Sequence, residues 1–265
     1  MGVLTAMLEA RTGQQLAATR AWRVDAVLAP LLRTLNLDSL DALASAALRS
    51  PQIGEQVVDA LLNQESSFFR DAAVLDLVAD AVVARQAAVP MRRPRLWSAG
   101  CSVGQEPLSL AMLFAERDPG GRALAPEILA TDVSKAALAR ARAGRYSQFE
   151  IQRGLPVRRM VQWFETDGPD WVAVPDLIRR IAFRRLNLVC DAMPGGRFDV
   201  ILCRNVLLYL TPVHRREILD RFATALRPDG LLVLGAGETV IGQTDAFRPS
   251  AAYRGLYEPV PARDG

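Results

Sequence analysis

The chain reads as an α/β protein: a doubly wound domain with a parallel sheet, an all-helical domain before it, and a small antiparallel β insertion within it. Three observations predict this. Residues Arg95–Glu106 run from an apolar stretch (Leu96, Trp97, Ala99) through a turn bracketed by Gly100 and Gly104 into a helix opened by Glu106 and Pro107. From residue 95 onward short apolar strands alternate with helical patterns, whereas residues 1–85 carry helical periodicity only. Between 146 and 183 the pattern breaks into dense aromatics around Asp167-Gly168-Pro169-Asp170, a turn signal.

Composition excludes several classes. A net charge of +3 is too small to argue for nucleic acid. No apolar run approaches the ~20 residues of a membrane span, and the N-terminus lacks the pattern of a secretory leader, so the expected compartment is the cytoplasm. Cys101, Cys190 and Cys203 are scattered with no Cys-x-x-Cys pair, and His214 is the only histidine, so neither a disulfide framework nor a metal site is expected. The basic residues are nearly all arginine, with Lys135 the sole lysine, which composition bias explains.

The expected elements follow in order. Residues 1–85 form the helical domain: Leu16, Trp22, Val24, Val27, Leu28, Leu31 and Leu32 recur at helical spacing, then Leu40, Leu43, Ala46 and Leu48 after a cap at Asp38-Ser39. Its last part, Asn63 to Asp71, runs polar residues into Phe68, Phe69 and Arg70; on a helix the two rings point ~100° apart, so burying both requires a domain contact. Residues 86–94 form a linker of two prolines and two arginines, and 95–265 the second domain. Its strands are Leu96–Ala99, Glu127–Thr131 ending in Asp132, Arg184–Leu188, Phe198–Cys203, Leu231–Leu234 and an edge strand at Tyr253–Tyr257. Ser134 caps a helix closed by Gly144; Thr211-Pro212 starts another, which Pro228-Asp229-Gly230 ends.

In an open α/β sheet ligands bind beyond the carboxyl ends of the strands. The residues expected there are Gly100 to Glu106, Asp132, Asn187-Leu188, Arg204-Asn205 and, beyond them, Tyr209. The glycine spacing fits neither a dinucleotide fingerprint nor a P-loop, and Glu106 disfavours a pyrophosphate. An acid ending the second strand suits a vicinal diol. A backbone amide and a side-chain amide near Asn187 suit an adenine edge, and glycines with Glu106 suit a zwitterionic amino-acid tail. Together these describe S-adenosylmethionine. Plainer roles stand beside these: Asp132 as a helix cap, Asn205 as a loop amide, Tyr209 as a packed ring.

Trp97-Ser-Ala-Gly-Cys-Ser-Val-Gly-Gln-Glu-Pro107, Thr131-Asp132, Phe198 to Val206 with Tyr209, and Leu226-Arg-Pro-Asp-Gly-Leu231 resemble the chemotaxis receptor methyltransferases of the CheR type, and Ser66 to Asp71 resembles their N-terminal helical region. The resemblance implies a Rossmann-like methyltransferase domain that transfers a methyl from S-adenosylmethionine to glutamate side chains of chemoreceptor cytoplasmic helices. The products are methyl esters and S-adenosylhomocysteine. It implies cofactor contacts from Gln64, Ser66, Arg70, Gly100, Glu106, Asp132, Asn187, Leu188, Arg204 and Asn205, with Arg70 and Tyr209 at the reacting groups. No metal, nucleic acid or membrane insertion is implied, and a monomer is expected. Gln64, Val103, Gln105, Leu108 and Gly237 stand where the family commonly has Asn, Thr, Glu, Tyr and Ser. The turn between Phe164 and Val174 is about three residues shorter than in members that grip a receptor tail peptide, which implies action without that tether. The competing expectations are a methyltransferase for a small molecule or RNA, and a degenerate member that binds cofactor or receptor without turnover.

Overall fold

The structure, a computed structural model, describes residues 2–16, 23–118, 120 and 125–261; Trp22, expected on a helix, lies outside them. Four helices come first: α1 (Gly2–Thr12), α2 (Arg23–Thr34), α3 (Leu40–Arg49) and α4 (Pro51–Leu61). Ser39 Oγ accepts from Ala42 N at 3.1 Å to start α3, and Ser50 Oγ from Ile53 N at 3.4 Å to start α4 with Pro51 at its first turn. Leu4, Leu8, Leu28, Leu43 and Val57 close one buried cluster around α4, which touches the other three helices. Leu16 lies outside any helix.

Helix α5 (Ala72–Ala88) runs through the residue where the helical domain was expected to end and over the first three positions of the expected linker. Leu75, Val78, Ala79 and Val82 belong to the same buried cluster as Leu96, Leu108 and Val200 of the sheet and its flanking helix, not to the four-helix cluster.

The main sheet has seven strands in the order β6-β2-β1-β7-β8-β10-β9. They are β1 (Arg95–Ala99), β2 (Glu127–Asp132), β6 (Ile181–Arg185), β7 (Phe198–Cys203), β8 (Leu226–Leu234), β9 (Phe247–Pro249) and β10 (Tyr257–Pro259). The first five pair in parallel, with Leu96 opposite both Ile128 and Val200; β10 is antiparallel to β8 and β9. Every residue of β7 is buried, as a central parallel strand requires. Helices α6 (Gln105–Arg117), α7 (Lys135–Ala143) and α11 (Pro212–Ala225) flank the sheet. Chain order runs outward one way through β2 and β6 and the other way through β8, so the switch point, where such sheets bind ligands, lies between β1 and β7.

The insertion carries β3 (Arg145–Ser147), α8 (Gln148–Gln152), α9 (Val157–Trp163), β4 (Phe164–Asp167), β5 (Asp170–Ala173) and α10 (Pro175–Ile178). Its strands form an antiparallel sheet in the order β3-β5-β4. Ile181 and Phe183, expected within it, pair with Ile128 and Ala130 as part of β6. That strand ends at Arg185, before Asn187 and Leu188, because Asn187 turns the chain: its Oδ1 accepts from Val189 N at 3.0 Å and its N donates to Asp191 Oδ2 at 2.8 Å. Three further expectations shift. Pro228-Asp229-Gly230 does not end α11, which stops at Ala225; it forms an irregularity within β8, where Phe198 pairs with Leu226 and Val200 with Leu231. Tyr253 precedes the last strand, and β10 lies inside the sheet because β9, not foreseen, covers it as the edge. Phe68 and Phe69 are both buried, but on a turn: Phe69 takes a φ of 49°, which a helix does not allow.

No described helix is long and apolar enough to cross a membrane.

Candidate functional site

The carboxyl ends of β1, β2, β6 and β7 open into a cleft of about 990 Å³, its solvent mouth included. All the expected site residues line it: Gln64, Ser66 and Arg70 from the segment before α5, Gly100 from the β1–α6 turn and Glu106 from the first turn of α6, Asp132 at the end of β2, Asn187 and Leu188 after β6, and Arg204, Asn205 and Tyr209 after β7.

The sheet side of the cleft is tightly cross-bonded. Glu106 Oε1 accepts from Ser98 Oγ at 2.7 Å, and Oε2 from Arg204 Nη1 at 3.0 Å. Arg204 Nη2 also donates to Arg70 O at 2.9 Å and to Asp71 Oδ2. The Arg204 side chain is only 3 % exposed and that of Glu106 16 % exposed, so this is a desolvated pair whose partners complete each other. Asp132 takes Ser102 N at 2.8 Å on Oδ2 and Ser134 N at 2.9 Å on Oδ1, leaving each oxygen a second acceptor position. Burial raises its pKa above the ordinary aspartate value, against the opposing effect of the backbone N–H groups of Ser134, Ser102 and Val133. Asp132 thus orders the turn after β1 and the start of α7, while Ser134 Oγ itself caps α7 through Ala137 N at 3.0 Å. Burial likewise pushes the thiols of Cys101 and Cys203 well up, so neither is a nucleophile.

A residue that sequence reasoning missed holds the β7 loop. The carboxylate of Glu238 accepts from the backbone N–H of Asn205 (2.7 Å), Gly235 (2.8 Å), Val206 (3.0 Å) and Leu208 (3.2 Å). The available signal was an acid just beyond a strand's carboxyl end. Thr12 and Gln14, after α1, also line the cleft, and nothing in their spacing pointed there.

The helical side is stitched to the sheet but presents free groups. Ser102 Oγ donates to Gln64 O at 3.0 Å, Gln64 Nε2 to Ser134 Oγ at 3.1 Å, and Phe69 N to Ser109 Oγ at 3.0 Å. Asn63 Nδ2 donates to the Tyr209 hydroxyl. The exposed Arg70 guanidinium, by contrast, has no ion-pair or hydrogen-bond partner among the described residues. Phe69, Asp71, Ser102 and Asn205 take positive φ (49°, 53°, 50° and 60°) without being glycine, placing backbone strain around the cleft as at ligand clamps.

The donor set fits a ribosyl amino acid. Two buried polar atoms of cleft residues, the Arg204 Nε donor and the Asn205 Oδ1 acceptor, have no partner among the described residues. A zwitterionic tail carries both complements, and the two remaining acceptor positions of Asp132 match a diol.

A family model for the SAM binding domain of CheR methyltransferases matches residues 64–255. The chain is 37% identical over 246 residues to a chemotaxis protein methyltransferase of Vibrio parahaemolyticus, covering 91% of this chain and 89% of that one. It is 36% identical over 246 residues to chemotaxis protein methyltransferase 1 of Vibrio cholerae, with the same coverage. To chemotaxis protein methyltransferase 1 of Pseudomonas aeruginosa it is 34% identical over 258 residues, 93% of this chain and 94% of that one.

Proposed function

The chain belongs to the CheR methyltransferase family and is an S-adenosylmethionine-dependent methyltransferase of chemotaxis, and from that premise we propose that it methylates glutamate side chains of chemoreceptor cytoplasmic helices. One observation carries the choice of acceptor. Of the two arginines lining the cleft, Arg204 is engaged by Glu106 and Asp71, while Arg70 has a free, exposed guanidinium beside Tyr209's loop. A planar fork without a partner suits a carboxylate arriving from outside.

The bound donor supplies an electrophilic methyl on a sulfonium. A glutamate, with a pKa of ~4.3, is already ionised at neutral pH, so no general base is required of the protein. What the chain's residues do is align and exclude water. Asp132 and Glu106 hold the two polar ends of the donor. Arg70 holds the acceptor carboxylate, and Tyr209, its hydroxyl fixed by Asn63, orients it. Glu238 keeps the loop carrying Arg204 to Tyr209 in place.

Incubation with radiolabelled S-adenosylmethionine and a receptor cytoplasmic domain should give label on the receptor that base releases as methanol. A receptor left unlabelled, or label that resists base, defeats the proposal. The reading includes a cytoplasmic monomer acting without a receptor-tail tether. The two-residue Gly168-Pro169 turn between β4 and β5 supports the last point, since it leaves no extended loop for gripping a peptide. Tight binding of a receptor-tail pentapeptide in calorimetry would contradict it.

A further inference from the structure

We propose that Arg159, on helix α9 of the insertion, is a positioning residue for methyl transfer: by clamping the Phe69 ring it sets the direction from which Arg70 meets the acceptor. This deepens the reading of Arg70 as the acceptor's partner and rests on it.

Arg70 lies between two residues in a costly backbone conformation. Phe69 and Asp71 take left-handed φ of 49° and 53°, which a bulky side chain seldom tolerates. Such a turn persists only where its surroundings over-determine it. Two backbone bonds do part of this: Phe69 N donates to Ser109 Oγ at 3.0 Å, and Arg70 O accepts from Arg204 Nη2 at 2.9 Å. The buried Phe69 ring supplies a further point. The Arg159 guanidinium lies over it, with Cζ 4.1 Å from the ring centroid.

The clamp is itself fixed. Arg159 Nε donates to Glu116 Oε1 at 3.0 Å and its Nη2 to Oε2 at 2.8 Å. Trp163 Nε1, one turn further along α9, donates to Glu116 Oε1 at 3.3 Å. A guanidinium can give its edge to a carboxylate and its face to a ring at once, which an ammonium cannot. Glu116 lies near the end of α6, about two turns beyond Ser109 on the same helix. The first turn of α6 carries Glu106, the partner of Arg204. Three restraints on the Arg70 turn thus return to one helix: the Phe69 N–H through Ser109, the Phe69 ring through Arg159 and Glu116, and Arg70 O through Arg204 and Glu106. An ion pair with side chains 24% and 26% exposed contributes little to stability by itself, and Arg159 lines a groove outside the cleft. Its place over the ring is what connects it to the chemistry.

The test combines receptor methylation kinetics with hydrogen exchange, both on the full chain. Arg159→Met should lower kcat/KM for a receptor cytoplasmic domain by about tenfold while S-adenosylhomocysteine affinity stays within about twofold of wild type. Phe69→Leu removes the ring but leaves the Arg159–Glu116 pair in place, and should reproduce that loss. The Arg159→Met/Phe69→Leu double variant should fall no more than about threefold below either single one, and Arg159→Met in an Arg70→Ala background should cost less than about threefold, because each combination breaks one linkage twice. Backbone amides of residues 66–71 should exchange at least about tenfold faster in Arg159→Met, with those of β1 and β7 unchanged. Unchanged exchange at 66–71 overturns the clamp. Wild-type methylation in Arg159→Met, additive losses in the double variants, or a donor affinity that falls as far as methylation does, overturns the positioning role. A wild-type chain that labels no receptor defeats the acceptor reading and this inference with it; if only the Arg159 and Phe69 expectations fail, the acceptor reading stands.

Discussion

The two sides of the cleft are built on opposite principles. On the sheet side nearly every polar group is engaged by another: Glu106 with Ser98 and Arg204, Arg204 with Asp71, Asp132 with two backbone amides, Glu238 with four. On the helical side Arg70 and Gln14 keep their side chains unengaged while their backbones are held. Rigidity and availability are thus separated between two parts of the chain. Under the proposed function, the closed network is the part that would hold the donor's polar ends, and the free side chains on pinned backbones are the part that would meet what arrives last.

Breaking the closed side should cost the most. Arg204→Met leaves the desolvated Glu106 without its cation, which should cost about 3–5 kcal/mol, or on the order of 10 °C in melting temperature for a chain of this size. Thermal unfolding checks it, and an unchanged midpoint means the pair does not hold the fold. Breaking the open side should spare stability and affect chemistry instead. Arg70→Lys keeps the charge but loses the fork, so receptor methylation should fall by roughly ten- to a hundredfold with the melting temperature unchanged. A wild-type methylation rate in that variant removes Arg70 from the acceptor site.

Acidity sharpens the contrast further. Burial holds the folded-state pKa of Asp132 above its unfolded value. Its contribution to stability is therefore fully present below the unfolded pKa and lost as pH rises through the folded one. Accepting from a diol favours the charged form, so S-adenosylhomocysteine should bind more weakly as pH drops through the raised pKa, starting above the ordinary aspartate range. The limiting slope is about tenfold per pH unit, and Asp132→Asn should flatten it. Titration calorimetry between pH 4.5 and about 7.5 reads this out; an affinity that holds level down to the ordinary aspartate range argues against Asp132 as the diol acceptor. The smallest effect concerns thiols. Cys101 and Cys203 are buried and Cys190 exposed, so a thiol reagent should modify one cysteine in the native protein and three after denaturation. Two or three fast thiols in the native state would show that the sheet side opens.

The same contrast separates what the sequence discloses from what it hides. The strand–turn–helix at Arg95–Glu106 and the strand Phe198–Cys203 are local patterns, and their acids and amides fall at strand ends by construction, so the sheet side was readable. Asn187 was placed in the right loop, but its bond to Arg11 O could not be read, because Arg11 lies far away in the chain. Gln14 had no local signal, since only the antiparallel bridge to Leu210 brings it to the cleft. Glu238 was visible as an acid after β8, yet its four N–H donors include three from a loop about thirty residues earlier. The β8 irregularity and the edge strand β9 escaped for a related reason: Pro228-Asp229-Gly230 reads as a terminator until a neighbouring strand shows it to be a bulge.

The Phe68 ring stands edge-on to Tyr146 at 5.0 Å and to Phe164 at 5.5 Å, both from the small sheet. Gly154 passes so close that a Cβ there would sit 2.1 Å from Phe68 O, and Arg153 pairs with Glu65 at 2.5 Å. The loop that carries Arg70 has no regular structure of its own, so it takes its stiffness from its contacts: this one, and the bonds to Ser102, Ser109, Ser134 and Arg204. The small sheet and that loop therefore behave as one cooperative unit, opening and closing together in hydrogen exchange. A side chain at Gly154 would push on Phe68 O and so reach the loop carrying Arg70 without touching the cleft.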